Sequence, residues 1–233
     1  MFSNLKKTNN QSGMTFLELV VVMGIFTAIS SAILFNYRDF SNSVHLQNLS
    51  QEIALQGKRA QTFASQGRRP TLTVPQINTG LIPDDWVSSY GLAFSLAENP
   101  KSFVFYFNSF DPDETDEDLR ELYFWDYVDT ANPGCGTQES ECMEEILITD
   151  GSKIDLICAG GEPQIDPECL GNDVEQVAQA HISFTRPRLE STILVGDVSP
   201  LTSVSNVFVR VSSPDGSQRR FITFWNTGQI SVN

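Results

Sequence analysis

The stretch GMTFLELVVVMGIFTAISSAILF, residues 13–35, sets the fold class of the first part of the chain. Its side chains are almost uniformly apolar, and its one charged group is the carboxylate of Glu18. The 22 residues from Met14 to Phe35 would form a helix about 33 Å long at roughly 1.5 Å per residue, which is enough to cross a bilayer core. We therefore predict a single membrane-spanning helix.

Residues 1–13 precede this helix and carry Lys6 and Lys7 without any acid. Basic flanks stay on the cytoplasmic side, so we expect the globular part to lie outside the cytoplasm. A cleaved secretory signal would have a shorter apolar core followed by a small-residue cut site, and this sequence continues in a helical pattern instead.

The helix is predicted to extend beyond the membrane, to about 50 residues in total. Apolar residues recur there at mostly helical spacings and are expected to pack as one stripe on a domain: Phe40, Val44, Leu49, Ile53, Ala60 and Phe63. Gly67 and Pro70 give a stop signal, because glycine suits a helix C-cap and proline cannot continue the helix. We expect a helix over residues 14–66 and a domain over residues 67–233.

The domain is expected to be mostly β, because short β-rich runs separated by turn signals follow Pro70. The runs are residues 91–96, 102–108, 121–128, 145–149, 153–158, 180–186, 191–196, 206–211, 219–225 and 229–232. The turns Ser213-Pro214-Asp215-Gly216 and Asn226-Thr227-Gly228 predict an antiparallel meander at the C-terminus. The fold class is then α+β, a long helix packed on a mostly antiparallel sheet.

Composition limits the classes of partner. The 233 residues include 29 acids against 15 Lys and Arg, a formal net charge of -14. The resulting field repels polyanions and argues against nucleic acid as a partner.

All four cysteines, Cys135, Cys142, Cys158 and Cys169, fall in one window without a Cys-x-x-Cys pair. This pattern favours two disulfides in an oxidising compartment over a zinc site made of four thiolates. Short separations favour Cys135 with Cys142 and Cys158 with Cys169, although four cysteines allow three pairings.

The motif Gly13-Met14-Thr15-Phe16-Leu17-Glu18, with its basic leader and apolar helix, resembles the class III signal of type IV pilins and type II secretion pseudopilins. The resemblance implies that a prepilin peptidase cuts between Gly13 and Met14 and that Met14 becomes the N-methylated first residue. The leader would then be residues 1–13. Two departures are Met14, where the family usually has Phe, and Phe35, where major pilins often have Pro.

Glu18 is the fifth residue of the processed chain in this comparison. A carboxylate near the bilayer centre costs about 2.5–3.5 kcal/mol, and the span offers no Lys or Arg to pair with it. Cleavage would create an α-amino group four residues upstream, which could pair with Glu18 of a neighbouring subunit. The alternative is that Glu18 lies near the headgroups at the start of a plain signal anchor.

The C-terminal segments, residues 180–196 and 207–232, are similar to the closing strands of H-type (FimT-like) minor pseudopilins. The resemblance implies a minor pilin or pseudopilin, assembled through its N-terminal helix into a type IV pilus or type II secretion pseudopilus. Its partners would be other pilin subunits, the prepilin peptidase, the cytoplasmic membrane and the inner-membrane assembly platform. The rival interpretation is a pilus-tip adhesin or DNA-binding subunit.

Other candidate sites are weaker. The acidic run 111–121 suggests calcium, with Asp111, Asp113 and Asp116 as candidate ligands, but it does not fit the EF-hand template and is better interpreted as a solvated loop. His45 and His181 are expected to be structural. We find no Gly-x-Ser-x-Gly elbow, P-loop or dinucleotide fingerprint, and we predict neither enzyme activity nor a cofactor.

Five arginines near the C-terminal strands could form a basic patch for DNA: Arg186, Arg188, Arg210, Arg219 and Arg220. On so acidic a chain we favour solvated strand positions for them.

Overall fold

A computed structural model describes residues 14–70, 87–96, 100–107, 135, 142–160, 169, 175–187, 190–196 and 201–233. These residues form one long helix, α1 (Phe16–Ser65), and eleven strands. The strands are β1 (Ser89–Ser95), β2 (Ser102–Phe107), β3 (Cys142–Leu147), β4 (Lys153–Ala159), β5 (Glu175–Gln176), β6 (Gln179–Thr185), β7 (Ser191–Gly196), β8 (Thr202–Ser203), β9 (Asn206–Ser212), β10 (Arg219–Trp225) and β11 (Ile230–Val232). The chain forms two compact units, Met1–Ser41 and Asn42–Asn233.

The strands of the second unit form two antiparallel sheets. The first sheet has the order β3-β2-β1-β6-β7-β8 and the second has the order β11-β10-β9-β4-β5. Strands β9, β10 and β11 are consecutive antiparallel neighbours, which confirms the meander predicted from the two turns. An N-terminal apolar helix joined to a mostly antiparallel β domain confirms the α+β class.

Nine of the ten predicted runs coincide with strands to within a few residues. The tenth, residues 121–128, lies outside the described residues. Strands β5 and β8 were not predicted, because each has two residues and is too short to show a period-2 pattern.

One hydrophobic core joins the two sheets to the second half of α1. Phe94 on β1 meets Phe224 on β10, with ring centroids 6.0 Å apart, and Phe63 of α1 packs edge-on to Tyr90 at 5.5 Å. Gly57 lets α1 approach the second sheet closely, since an added Cβ would lie 2.7 Å from Cδ1 of Ile230. The helix contributes a stripe of buried apolar residues to this core: Leu46, Leu49, Ile53, Ala60 and Ala64.

The predicted stripe was wrong at its first two members. Phe40 is 68% exposed and Val44 is 39% exposed, whereas Ile53 is fully buried. At roughly 100° per residue, Val44 lies about 180° around the helix from Ile53. The predicted series contains a five-residue step from Val44 to Leu49, and that step moves the pattern to another face of the helix.

The end of α1 confirms the predicted stop signal. Gly67 has φ 64°, a left-handed conformation that glycine adopts without a steric penalty. Its N–H donates to the Ala64 carbonyl at 3.0 Å, and the Arg68 N–H donates to the Phe63 carbonyl at 3.2 Å, which is a Schellman cap. The Tyr90 hydroxyl donates to the Arg68 carbonyl at 2.6 Å, and burial raises the pKa of Tyr90 to about 12.

Both disulfides have the pairing that the short separations favoured, Cys135 with Cys142 and Cys158 with Cys169. Cys158 is buried beside Leu156 and Phe208 on the face of the second sheet that points away from the main core. Cys142 is buried with Tyr106 on the corresponding face of the first sheet. The first bond therefore joins Cys135, which precedes β3, to a buried position on β3, and the second joins Cys169, which follows β4, to a buried position on β4.

His181 is expected to make the stability of the β domain depend on pH. It lies on β6, is 1% exposed and packs edge-on to the Tyr106 ring, with centroids 6.3 Å apart. Burial lowers the pKa of His181 from 6.5 to about 4. The unfolded chain therefore binds a proton below pH 6.5, whereas the folded chain binds it only near pH 4. Stability should fall by roughly 3 kcal/mol as the pH falls through this window.

Urea unfolding in detergent at pH 7.5, 5.5 and 4.5 measures this effect. The His181→Gln variant should lose the pH-dependent part, even where its stability at pH 7.5 is lower. His45→Gln is the matched control, because the His45 side chain is 53% exposed. Equal pH dependence in the wild type and the His181→Gln variant would contradict the assignment.

Candidate assembly site at the start of the apolar helix

Thr15 and Glu18 form a capping box at the start of α1. The Thr15 N–H donates to Glu18 Oε2 at 3.3 Å, and the Glu18 N–H donates to Thr15 Oγ1 at 3.3 Å. The Thr15 hydroxyl also donates to Glu18 Oε2 at 3.4 Å. The first turn of a helix leaves backbone N–H groups without partners, and this reciprocal pair satisfies two of them.

The carboxylate is placed where the helix dipole favours a negative charge. Within the described residues, Thr15 is the only side chain that hydrogen-bonds to Glu18, and no Lys or Arg pairs with it. An α-amino group created at Met14 would lie one residue before the capping threonine. The site can therefore hold a carboxylate close to a new positive charge, whether on its own chain or on a neighbour.

The helix surface around this site is apolar and uncovered. Phe16 is 82% exposed and Leu17 is 75% exposed, and no residue of the window Phe16–Ile33 is buried within the chain. The hydroxyl of Thr27 donates to the Met23 carbonyl at 2.8 Å, so a polar side chain in this segment is satisfied locally. By length and composition, this window could be a membrane span or a signal anchor.

Sequence reasoning missed the part played by Thr15. The signal was present as Thr15-Phe16-Leu17-Glu18, a Thr-x-x-Glu pattern directly before an apolar run. The sequence predicted that Glu18 pairs with a neighbouring subunit or lies near the headgroups, and the structure adds a local role for its carboxylate in starting the helix. Gly13, the predicted residue before the cut, lies outside the described residues, and Met14 is 61% exposed.

The other candidate residues do not join this site. Asp111, Asp113 and Asp116 lie outside the described residues, and the described ranges contain no group of three or more His, Cys, Asp or Glu placed to hold a metal ion. His45 Nδ1 lies 3.8 Å from Asp150 Oδ2 on the turn between β3 and β4. His181 is in the core of the first sheet.

The arginine set does not form one patch. Arg210 is held in the second sheet by Asp155, with Nε 2.8 Å from Oδ1 and Nη2 3.1 Å from Oδ2. Arg219 and Arg220 are successive residues of β10 and therefore point to opposite faces. Arg186 directly follows β6 in the other sheet, and Arg188 lies outside the described residues.

Comparisons with family models, with curated proteins and with solved structures found no match to this chain.

Proposed function

We propose that this chain is a structural subunit, a minor pilin or pseudopilin, that assembles into a filament through the first half of α1. The observation that carries the proposal is the exposed apolar segment of α1, which begins with a carboxylate fixed at its first turn and continues without a break into the core of a β domain. The prepilin motif in residues 13–18 supports it.

The physical argument concerns what can cover the apolar segment. An exposed window of eighteen residues that are apolar or small apart from Glu18 is stable only in lipid or against other apolar helices. Before assembly, the chain would reside in the cytoplasmic membrane with its β domain on the outer side. Assembly would exchange lipid for helix contacts and would pair Glu18 with the new α-amino group of a neighbour, which turns two costly isolated charges into one neutral ion pair.

Intact-mass spectrometry of the membrane fraction tests the processing step. The chain is coexpressed with and without a prepilin peptidase. With the peptidase, the mass should fall by residues 1–13 and rise by one methyl group on Met14. A Gly13→Leu variant, which alters the residue before the cut, should keep the full-length mass. A wild-type chain that stays full length, or is cut at another bond, would contradict the proposal.

A further inference from the structure

Two cavities adjoin beyond the C-terminal end of α1. One, of about 480 Å³, is lined by residues at or next to the ends of β6, β7 and β10, including Glu190, Ser191 and Asn226. The other, of about 360 Å³, is lined by the chain after α1, including Gly67 and Arg69. Arg186 and Pro187 line both. We call the combined depression the Arg186 groove.

The guanidinium of Arg186 is positioned by the cap of α1. It rests on Gly67, where an added Cβ would lie 2.5 Å from Nη1 of Arg186. Within the part of the chain that the structure describes, this guanidinium makes no hydrogen bond or ion pair. A guanidinium carries five N–H donors in a planar fork, and those of Arg186 are available to a ligand.

The carbonyl groups at the end of α1 already accept hydrogen bonds from other groups, so they do not require the Arg186 guanidinium. The Phe63 and Ala64 carbonyls accept from the Schellman cap, and the Arg68 carbonyl accepts from Tyr90. Arg186 and Arg69 both line the groove, and the carboxylate of Glu190 lines its larger cavity. The charged side chains that line the groove are therefore two arginines and one glutamate, a net positive balance on a chain whose net charge is -14.

We propose that the Arg186 groove binds a carboxylate-rich peptide segment, namely residues 111–121 of a second copy of this chain. That segment, DPDETDEDLRE, has seven acids and one arginine, so its charge complements the groove. A carboxylate can accept two parallel hydrogen bonds from one guanidinium, and polar side chains such as Ser191 and Asn226 surround it. The inference does not depend on the proposed filament function.

A short acidic peptide fits these observations better than a nucleic acid. A duplex needs a row of Lys or Arg along the contact, because its phosphates continue past any single groove. Arg210 is paired with Asp155, and Arg219 and Arg220 point to opposite faces of β10. The groove therefore offers a local cationic site and not an extended one.

A labelled peptide of residues 111–121 tests the proposal by fluorescence anisotropy with the full chain in detergent. Arg186→Gln should weaken binding by about tenfold or more, since it removes a charge-assisted pair. Arg220→Gln, on a half-buried arginine of another sheet, is the matched control and should leave binding unchanged. Equal binding to the Arg186→Gln variant would overturn the proposal, as would binding of a duplex oligonucleotide that depends on Arg186 when the peptide does not bind.

Carbodiimide cross-linking identifies the source of the segment. The Arg186→Lys variant keeps the charge and supplies an amine that can be coupled to carboxylates. An equal mixture of unlabelled and ¹⁵N-labelled chains should give a cross-link from position 186 to residues 111–121 between chains of different mass. Cross-links confined to one chain, or none to this segment, would overturn the assignment to a second copy.

Discussion

The Gly91→Ala variant is expected to destabilise the β domain by about 3 kcal/mol or more. Gly91 lies in the middle of β1, between β2 and β6, where it is paired with Tyr106 and Ser183. An added Cβ would contact the backbone carbonyl oxygen of Ile182 and would lie 2.6 Å from Cζ of the Tyr106 ring. Tyr106 is fully buried, so its ring has little room to move. Overpacking typically costs about 1–3 kcal/mol, and a contact with sheet backbone belongs at or above the top of that range.

Urea unfolding followed by circular dichroism measures the loss, together with the yield of soluble protein from detergent extracts. Gly24→Ala is the matched control, because an added Cβ at Gly24 meets nothing within 4 Å. The double variant Gly91→Ala/Tyr106→Leu separates the two contacts. It relieves the contact with the ring and leaves the contact with the carbonyl, so it should recover only part of the stability. A Gly91→Ala protein as stable as the wild type would show that β1 can shift within its sheet at little cost.

Gly91 also shows which features the sequence could not reveal. The run 91–96 was recognisable as a strand from its composition, but the need for glycine arises from the Tyr106 ring on β2 and the Ile182 carbonyl on β6. Both lie far from Gly91 in sequence. The cap at Gly67 was predictable because all of its hydrogen bonds join residues within five positions of one another. Local sequence signals identify where helices and strands end, whereas contacts between strands can be identified only when the fold is known.

The candidate site also has features that local sequence signals predict and features that depend on the fold. The position of Glu18 in an apolar run was plain from the sequence, and the Thr-x-x-Glu pattern could have predicted its cap. On α1, Ala64 is buried and Phe40 is exposed. The spacing of apolar residues alone could not predict this, because the buried face of the helix is the one that contacts the sheets. The Arg186 groove joins Gly67 to residues about 120 positions away, so no pattern in the sequence indicated it.

Replacing Glu18 with alanine is expected to leave the chain in the membrane and to remove it from filaments. Without the carboxylate, the new α-amino group of a neighbouring subunit would stay unpaired in the apolar region, at a cost of about 2.5–3.5 kcal/mol. Since 1.4 kcal/mol corresponds to a factor of ten, incorporation should fall by roughly a hundredfold. Quantitative immunoblotting of sheared filaments against membrane fractions from the native host measures the ratio.

The capping box makes it possible to separate the charge of Glu18 from its local role. Glu18→Gln keeps an acceptor for the Thr15 N–H, since glutamine also serves at this position of a capping box, but it removes the charge. Thr15→Val keeps the charge and removes the hydroxyl that accepts from the Glu18 N–H, at a cost of about 1 kcal/mol to the helix start. If pairing between subunits is the role of Glu18, the Gln variant assembles as poorly as the Ala variant and the Val variant assembles normally. The reverse result would assign Glu18 to helix initiation alone and would contradict the ion pair.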